Sequence, residues 1–163
     1  MTIDIPYSGD RMIVPDLRAK LIDLASAAMN KSYAPYSKFN VGSALITEKG
    51  EFYSGTNVEN LSYGLSICAE RSAVINAVIA EGASMKVRAI ALLNSHGIPI
   101  LPCGACRQVL KEFSAPDTVV VYPARSGFRE VHFHLIFPGA YDEFDDDFMK
   151  KDEFHDHLKS AHL

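Results

Sequence analysis

The chain has 163 residues, of which 48% are hydrophobic, and this length suits one domain built around one substantial core. Its net charge of -4 argues against a polynucleotide substrate, because binding a phosphate backbone requires a clustered basic surface. The chain lacks a run of about eighteen apolar residues, and residues 1–14 lack a signal-peptide pattern, so neither a membrane span nor a signal peptide is indicated. Its three cysteines suit a reducing compartment, and we expect a cytoplasmic protein.

The first part of the chain predicts a helix followed by a β-hairpin. Pro15 and Asp16 suit a first helical turn, and apolar residues then recur at helical spacing, namely Leu17, Leu21, Leu24, Ala25 and Ala28. A segment with a proline and two tyrosines, residues 33–38, ends this helix. Apolar runs at 41–47 and 52–58 flank a turn at Lys49 and Gly50, which indicates two antiparallel strands.

The second predicted helix, residues 67–80, is apolar almost all round and stops at Gly82. This pattern indicates a central, buried helix. Its first turn would carry Cys68, Glu70 and Arg71 into the interior, where charged groups need partners.

The second half of the chain alternates strands and helices. Strands are predicted at 87–93 and 118–122, and a helix between them begins near Cys103 and ends before Pro116. Residues 130–135 alternate as a half-exposed edge strand on which His132 and His134 face solvent. This order predicts an α/β fold, a three-layer α/β/α sandwich whose mixed five-stranded sheet has helices on both faces.

The last segment, residues 142–163, contains eight acidic and three basic residues, as a solvated tail would. Four apolar residues nevertheless fall within an arc of about 120° on a helix, namely Phe144, Phe148, Phe154 and Leu158. We therefore predict a marginal helix that lies on the body or on a neighbouring subunit. Residues 1–163 are taken as one domain, with a core of about 16–141 and an acidic extension.

All three cysteines lie in two short segments, with Cys68 in one and the C-x-x-C pair Cys103 and Cys106 in the other. Thiolates suit zinc, and three protein ligands leave a fourth position for a water. Glu70, two residues after Cys68, is the natural proton carrier for that water. An odd cysteine count with this spacing favours metal binding in a reducing compartment over disulfides.

A structural zinc site is the alternative, with His96, His132 or His134 as fourth ligand. It gives no reason for a carboxylate beside the first ligand.

Four motifs, at residues 36–42, 57–60, 68–71 and 102–110, resemble in order and spacing the small homotetrameric cytidine deaminases. The resemblance runs from about residue 16 to residue 141. It implies one zinc per chain and hydrolysis of cytidine and 2′-deoxycytidine to uridine and 2′-deoxyuridine with release of ammonia, a reaction of pyrimidine salvage. It also implies a small-molecule nucleoside substrate and a homotetramer whose active sites are shared between subunits.

The resemblance also assigns the substrate contacts. Asn57 and Glu59 correspond to ligands of the ribose hydroxyls, Phe39 to an aromatic that packs on the base, and the Ala69 backbone to a pyrimidine contact. Arg71 corresponds to a residue that hydrogen-bonds the ligand thiolates, whose charge it would offset. The alternatives are a turn asparagine, a surface glutamate, a core phenylalanine and, for Arg71, an ion pair with a carboxylate.

The chain departs from the family pattern at Ser43, where alanine is usual, and at Tyr141, where phenylalanine is usual. Tyr141 would project toward a neighbour's pyrimidine. The apolar segment 136–141 predicts an exposed patch that an oligomer buries, unless the tail from Phe144 folds over it.

The sequence is also compatible with two other functions. One is deamination of another small aminopyrimidine or of an aminonucleoside antibiotic, for which Glu59 is the discriminating residue. The other is a zinc-stabilised binding protein without catalysis.

Overall fold

The computed structural model describes residues 13–138, apart from the side chain of Pro116. Its elements follow in chain order: α1 (Pro15–Met29), β1 (Val41–Thr47), β2 (Phe52–Thr56), a 3-10 turn (Tyr63–Leu65), α2 (Ala69–Glu81), β3 (Val87–Asn94), α3 (Gly104–Phe113), β4 (Ser114–Pro123), β5 (Phe128–His132) and α4 (Phe133–Ile136). None of the described helices is long and apolar enough to cross a bilayer.

The five strands form one mixed sheet in the order β2-β1-β3-β4-β5. β3 and β4 run parallel, and the other neighbouring strands are antiparallel. The parallel pair is joined through α3, as a parallel connection requires a crossover. The predicted mixed five-stranded sheet is therefore confirmed.

Side chains alternate across the sheet and so build two cores. On one face, Ala44 and Ala91 pack with Leu21 and Ala25 of α1. Small strand residues there let the helix lie close to the sheet. The opposite face carries larger residues, among them Leu45, Ile90 and Leu92, which form a core with Val74 of α2 and Leu110 of α3. The three-layer arrangement follows because successive side chains of each strand point to opposite faces of the sheet.

Gly55 on β2 shows how closely α2 is seated on the sheet. A Cβ at this position would lie 2.2 Å from the backbone nitrogen of Ala73 and 2.5 Å from the carbonyl oxygen of Ala69. Only glycine permits this approach, which fixes the first turn of α2 relative to β2.

The prediction of an edge strand reaching residue 135 is wrong. β5 ends at His132, and a short helix follows in which Phe133 and Ile136, three residues apart, are both buried. Glu130 was predicted on the exposed face but is buried. Its carboxylate lies 3.4 Å from Arg18 on α1 and accepts a hydrogen bond from the backbone of Ile13.

The prediction that α2 is buried all round is also wrong for the single chain. Ile75 and Ile79, one turn apart, are 51% and 78% exposed. Ile136 is buried and Phe137 packs against the core, so neither forms the exposed patch expected at 136–141.

Tyr141 and the helix proposed in 142–163 lie outside the described residues. One domain over residues 1–163 stays a prediction.

Candidate active site

The functional residues gather at one edge of the sheet. Val41 at the start of β1 pairs with Asn94 at the end of β3, and Gly42 pairs with Thr56 at the end of β2. The loops that leave this edge lead into the N-termini of α2 and α3. In open α/β sheets the crevice outside such strand ends is the usual place for a ligand.

Three cysteine sulfurs meet at the beginnings of α2 and α3. Cys68 and Cys103 are the residues preceding these helices, and Cys106 lies in the first turn of α3. All three sulfurs lie within 4.8 Å of one another, and those of Cys68 and Cys103 are 3.9 Å apart. Tetrahedral zinc with Zn–S bonds of about 2.3 Å separates its sulfurs by roughly 3.8 Å, so the cluster fits one zinc ion.

No histidine joins this cluster within residues 13–138. His96 stacks on Phe39, while His132 and His134 stack on each other. The described residues therefore offer no fourth histidine ligand of the kind that a closed structural zinc site would need.

Hydrogen bonds to the Cys68 sulfur favour its thiolate form. A hydrogen bond from Cys106 is the main cause that lowers the pKa of the Cys68 thiol to about 5, and Arg71 strengthens the effect. The same hydrogen bond raises the pKa of Cys106. Sulfur at a helix N-terminus next to a cation is disposed to be thiolate, the form that binds metal.

Glu70 follows Cys68 by two residues and is only 4% exposed. Burial is the main cause that raises the pKa of its carboxyl to about 7, and the negative charge of Cys68 contributes. A carboxyl group with a pKa near neutrality can take up a proton and give it back at the same pH.

Arg71 directs its guanidinium back toward the start of α2. Its Nη2 atom donates to the carbonyl oxygen of Ser66 at 3.2 Å and lies 3.6 Å from the sulfur of Cys68. Of the ion pairs found between described residues, Arg18–Glu130 and Lys49–Glu81, neither involves Arg71. The geometry thus brings Arg71 to a thiolate and gives no support to the carboxylate alternative.

Asn57 holds the chain as it enters β1. Its Nδ2 atom donates to the carbonyl oxygen of Phe39 at 2.9 Å, and its Oδ1 atom accepts from the backbone nitrogen of Val41 at 2.8 Å. This side chain therefore fixes the backbone of Phe39, whatever else it contacts.

Glu59 is buried beneath the turn that precedes Phe39. One oxygen accepts from the backbone nitrogens of Tyr36 and Ser37 at 3.0 and 3.2 Å, and the other accepts from the Ser37 hydroxyl. The hydrogen bond from the Ser37 hydroxyl is the main cause that lowers the pKa of Glu59. Glu59 is therefore a carboxylate held in the site wall rather than a surface glutamate.

Ala69 is the first residue of α2 and is fully buried. Backbone N–H groups in the first helical turn lack an intrahelical acceptor, so they can donate to a ligand.

Sequence reasoning missed two residues that support the site. The Ser37 hydroxyl receives the Phe39 N–H at 3.0 Å, a local serine turn that the Ser-x-Phe spacing could have indicated. Arg107 donates to the carbonyl oxygens of Pro102 and Ile136, both at 2.7 Å, and so ties the Cys103 loop to α4. A cation in a first helical turn is unfavourable, because it lies at the positive end of the helix dipole. This unfavourable position could have indicated that Arg107 has a specific partner.

Comparison with known proteins gives a consistent result. Residues 16–122 match the family described as the cytidine and deoxycytidylate deaminase zinc-binding region. The chain is 42% identical to the cytidine deaminase of Halalkalibacterium halodurans, covering 76% of this chain and 93% of that protein. It is 41% identical to a probable cytidine deaminase of Dictyostelium discoideum, covering 77% and 84%.

Solved structures of cytidine deaminases are similar to this chain in fold. The crystal structure of cytidine deaminase from Burkholderia pseudomallei matches with a TM-score of 0.70 at 44% identity, covering 76% of this chain and 98% of that one. The enzyme from Mycobacterium tuberculosis matches with a TM-score of 0.70 at 34% identity, covering 80% and 100%.

Proposed function

Because this chain belongs to the cytidine and deoxycytidylate deaminase family, we propose that it hydrolyses cytidine and 2′-deoxycytidine to uridine and 2′-deoxyuridine, releasing ammonia. One observation carries the proposal. The buried carboxyl group of Glu70 follows Cys68 by two residues in the sequence, and Cys68 belongs to a cluster of three sulfurs. This pairing of a metal site with a proton carrier is what hydrolytic deamination requires.

Cys68, Cys103 and Cys106 would hold one zinc ion per chain. When bound, the ion supplies a water whose pKa is lowered toward about 7, so that it loses a proton easily at neutral pH. Three thiolates and one zinc ion carry a net charge of -1. Arg71 lies close enough to Cys68 to offset that charge.

Glu70 moves the protons of the reaction. It takes one proton from the attacking water and delivers it to ring N3 of cytosine. It then takes the second proton from the hydroxyl group now bonded to C4 and delivers it to the departing amino group. The C4–O bond forms first, the C4–N bond then breaks, and the amino group leaves as ammonia, so the product is uracil on the same sugar. The raised pKa of Glu70 supports this role, because the group must both accept and donate.

Glu59 and Asn57 would bind the ribose hydroxyls. A carboxylate has about four lone-pair positions, so the three bonds that Glu59 accepts leave capacity for a hydroxyl. The amide of Asn57 keeps one N–H beyond its bond to Phe39. A carboxylate beside the sugar also disfavours a nucleotide phosphate, which supports a free nucleoside as substrate.

Phe39 would pack on the base, and the Ala69 backbone would contact the pyrimidine. Phe39 is partly exposed at the same sheet edge as the cysteines, and Ala69 opens α2 one residue after Cys68.

The chain would assemble as a homotetramer whose sites are shared, with Tyr141 as the aromatic contributed by a neighbour. Two exposed apolar features support assembly. One is the segment around the 3-10 turn, where Leu61, Tyr63 and Leu65 are 83%, 75% and 66% exposed; the other is the outer face of α2 with Ile75 and Ile79. Closed symmetric assemblies are the usual way to bury such surface.

We place the protein in the cytoplasm, since free thiols suit a reducing compartment.

An absorbance assay for loss of the cytosine chromophore tests the function. Cytidine, 2′-deoxycytidine, CMP, cytosine and blasticidin S would be compared with and without a zinc chelator. We expect turnover of the two nucleosides, little with CMP or cytosine, and loss of activity on chelation that added zinc restores. Turnover of the antibiotic alone would indicate a different deaminase, and zinc binding without any turnover would indicate a binding protein.

A further inference from the structure

Phe39 has one face of its ring covered by the imidazole of His96. The two ring centroids lie 5.1 Å apart and the ring planes differ by 19°, which is an offset-stacked pair. His96 is exposed and Phe39 is half-buried, so the pair stands at the surface of the site edge. A planar ring has two faces, and the stack with His96 occupies one of them.

The turn that carries His96 is bonded to the residue after Phe39. The backbone nitrogen of Ser95 donates to the carbonyl oxygen of Asn40 at 2.9 Å, and the Asn40 nitrogen donates to the Ser95 hydroxyl at 3.2 Å. Asn94 accepts the backbone N–H of His96 at 3.1 Å. These bonds fix the backbone of the turn to the residue that precedes β1, and so they hold the imidazole over Phe39.

Phe39 is thus held from two sides. Asn57 holds its backbone carbonyl, while His96 covers its ring. His96 belongs to the connection between β3 and α3 that ends at Cys103, so one loop carries both a zinc ligand and the support for the aromatic.

We propose that His96 is a positioning residue for the pyrimidine, whose imidazole holds the Phe39 ring at the angle at which its free face packs on the cytosine base. The inference rests on the proposed function, because it takes Phe39 as the base contact. His96 acts through Phe39 and touches neither the reacting atoms nor the sugar. Its removal should therefore weaken substrate binding without slowing the chemical step.

The first experiment compares His96→Ala with His96→Phe, which keeps a ring in the stack. For His96→Ala we expect KM to rise about two- to tenfold, the range that corresponds to one aromatic pair, with kcat within about twofold of wild type. The rise should be equal for cytidine and 2′-deoxycytidine, because the sugar contacts are intact. His96→Phe should keep a KM near that of wild type.

Lys20→Ala is the matched control. It removes the Lys20 ammonium from the ring of Phe52, which lies at the start of β2 and so at the opposite end of that strand from the site. Its KM and kcat should equal those of wild type.

A double-mutant cycle isolates the route through Phe39. In a Phe39→Leu background, whose own KM is raised, His96→Ala should add no further rise, since the ring that it supports is gone. If His96 had a merely structural role, His96→Ala would raise KM by the same factor in wild type and in Phe39→Leu.

Several results would overturn the inference while leaving the proposed function intact. For His96→Ala these are an unchanged or lower KM, or unequal changes in KM for the two nucleosides. The others are a KM in His96→Phe as high as that of His96→Ala, and additive effects of His96→Ala and Phe39→Leu on KM. A wild-type protein that turned over neither nucleoside would overturn the proposed function and this inference with it.

Discussion

The Nη2 atom of Arg71 lies 3.6 Å from the sulfur of Cys68, three residues earlier in the chain. A cation in the first turn of α2 faces the positive end of the helix dipole, which is an unfavourable position. The Cys68 thiolate offsets this cost, and its hydrogen bond is the main cause that raises the pKa of Arg71. The pair therefore favours the thiolate form of Cys68.

Replacing Arg71 by glutamine should weaken zinc binding. Without the cation, three thiolates repel one another, and loss of a group that supports metal ligands typically costs about 10- to 100-fold in metal affinity. Competition with a coloured chelator would measure this loss. Arg125→Gln, an exposed arginine between β4 and β5, is the matched control and should leave zinc affinity unchanged. Equal affinity in wild type and Arg71→Gln would show that the contact does not support the metal.

Replacing Glu59 by glutamine should raise KM for cytidine while hardly changing the already poor turnover of cytosine. The reason is that Glu59 would contact the sugar, which cytosine lacks. Because Glu59 also holds the turn at Tyr36 and Ser37, Ser37→Ala is the control that disturbs the turn but keeps the carboxylate. If Ser37→Ala raised KM as much as Glu59→Gln, or if both substrates suffered equally, Glu59 would be supporting only the fold.

Gly55→Ala should destabilise the protein and impair turnover together. The new methyl would meet backbone atoms of Ala69 and Ala73, which cannot move without shifting α2 and the residues that begin it. Overpacking of this kind costs about 1–3 kcal/mol, and backbone contacts place it toward the upper end. Thermal unfolding and kcat would be measured beside Gly64→Ala, where an added Cβ meets nothing within 4 Å. Wild-type values for both quantities in Gly55→Ala would refute the seating of α2.

Light scattering at micromolar concentration should give the mass of four chains. Ile79→Glu places a charge on the exposed apolar face of α2 and should lower that mass, since burying an unpaired carboxylate is costly. Val14→Glu, which makes the same change at another exposed apolar residue, should leave the mass unchanged. An active monomer, with unchanged kinetics in Tyr141→Ala, would remove both the oligomer and the shared site.

The sequence was most informative where a pattern is local. Helical periodicity located α1 and α3, and the spacing of Cys68 from Glu70 and of Cys103 from Cys106 indicated the metal cluster before any fold was known. Motif order supplied the family, and relatives of known activity agree with it.

Contacts between distant segments could not be predicted from the sequence. The burial of Glu130 depends on Arg18, from the opposite end of the described chain, and alternation alone placed it in solvent. The sequence suggests His96 only as a zinc ligand, because its stack on Phe39 joins two loops that no periodicity connects. The sequence predicts a buried outer face for α2, because hydrophobicity does not show whether the surface that covers this face belongs to the same chain.

The central claim is that Glu70 carries protons and is not a zinc ligand. Zinc content and cytidine turnover should be measured on the same preparation of Glu70→Ala, beside Glu112→Ala as an exposed control. We predict one zinc per chain in both variants, with turnover lost in Glu70→Ala at or above the top of the range of about 10² to 10⁴ typical of a general acid/base. Loss of zinc from Glu70→Ala, or turnover near that of wild type, would contradict the mechanism.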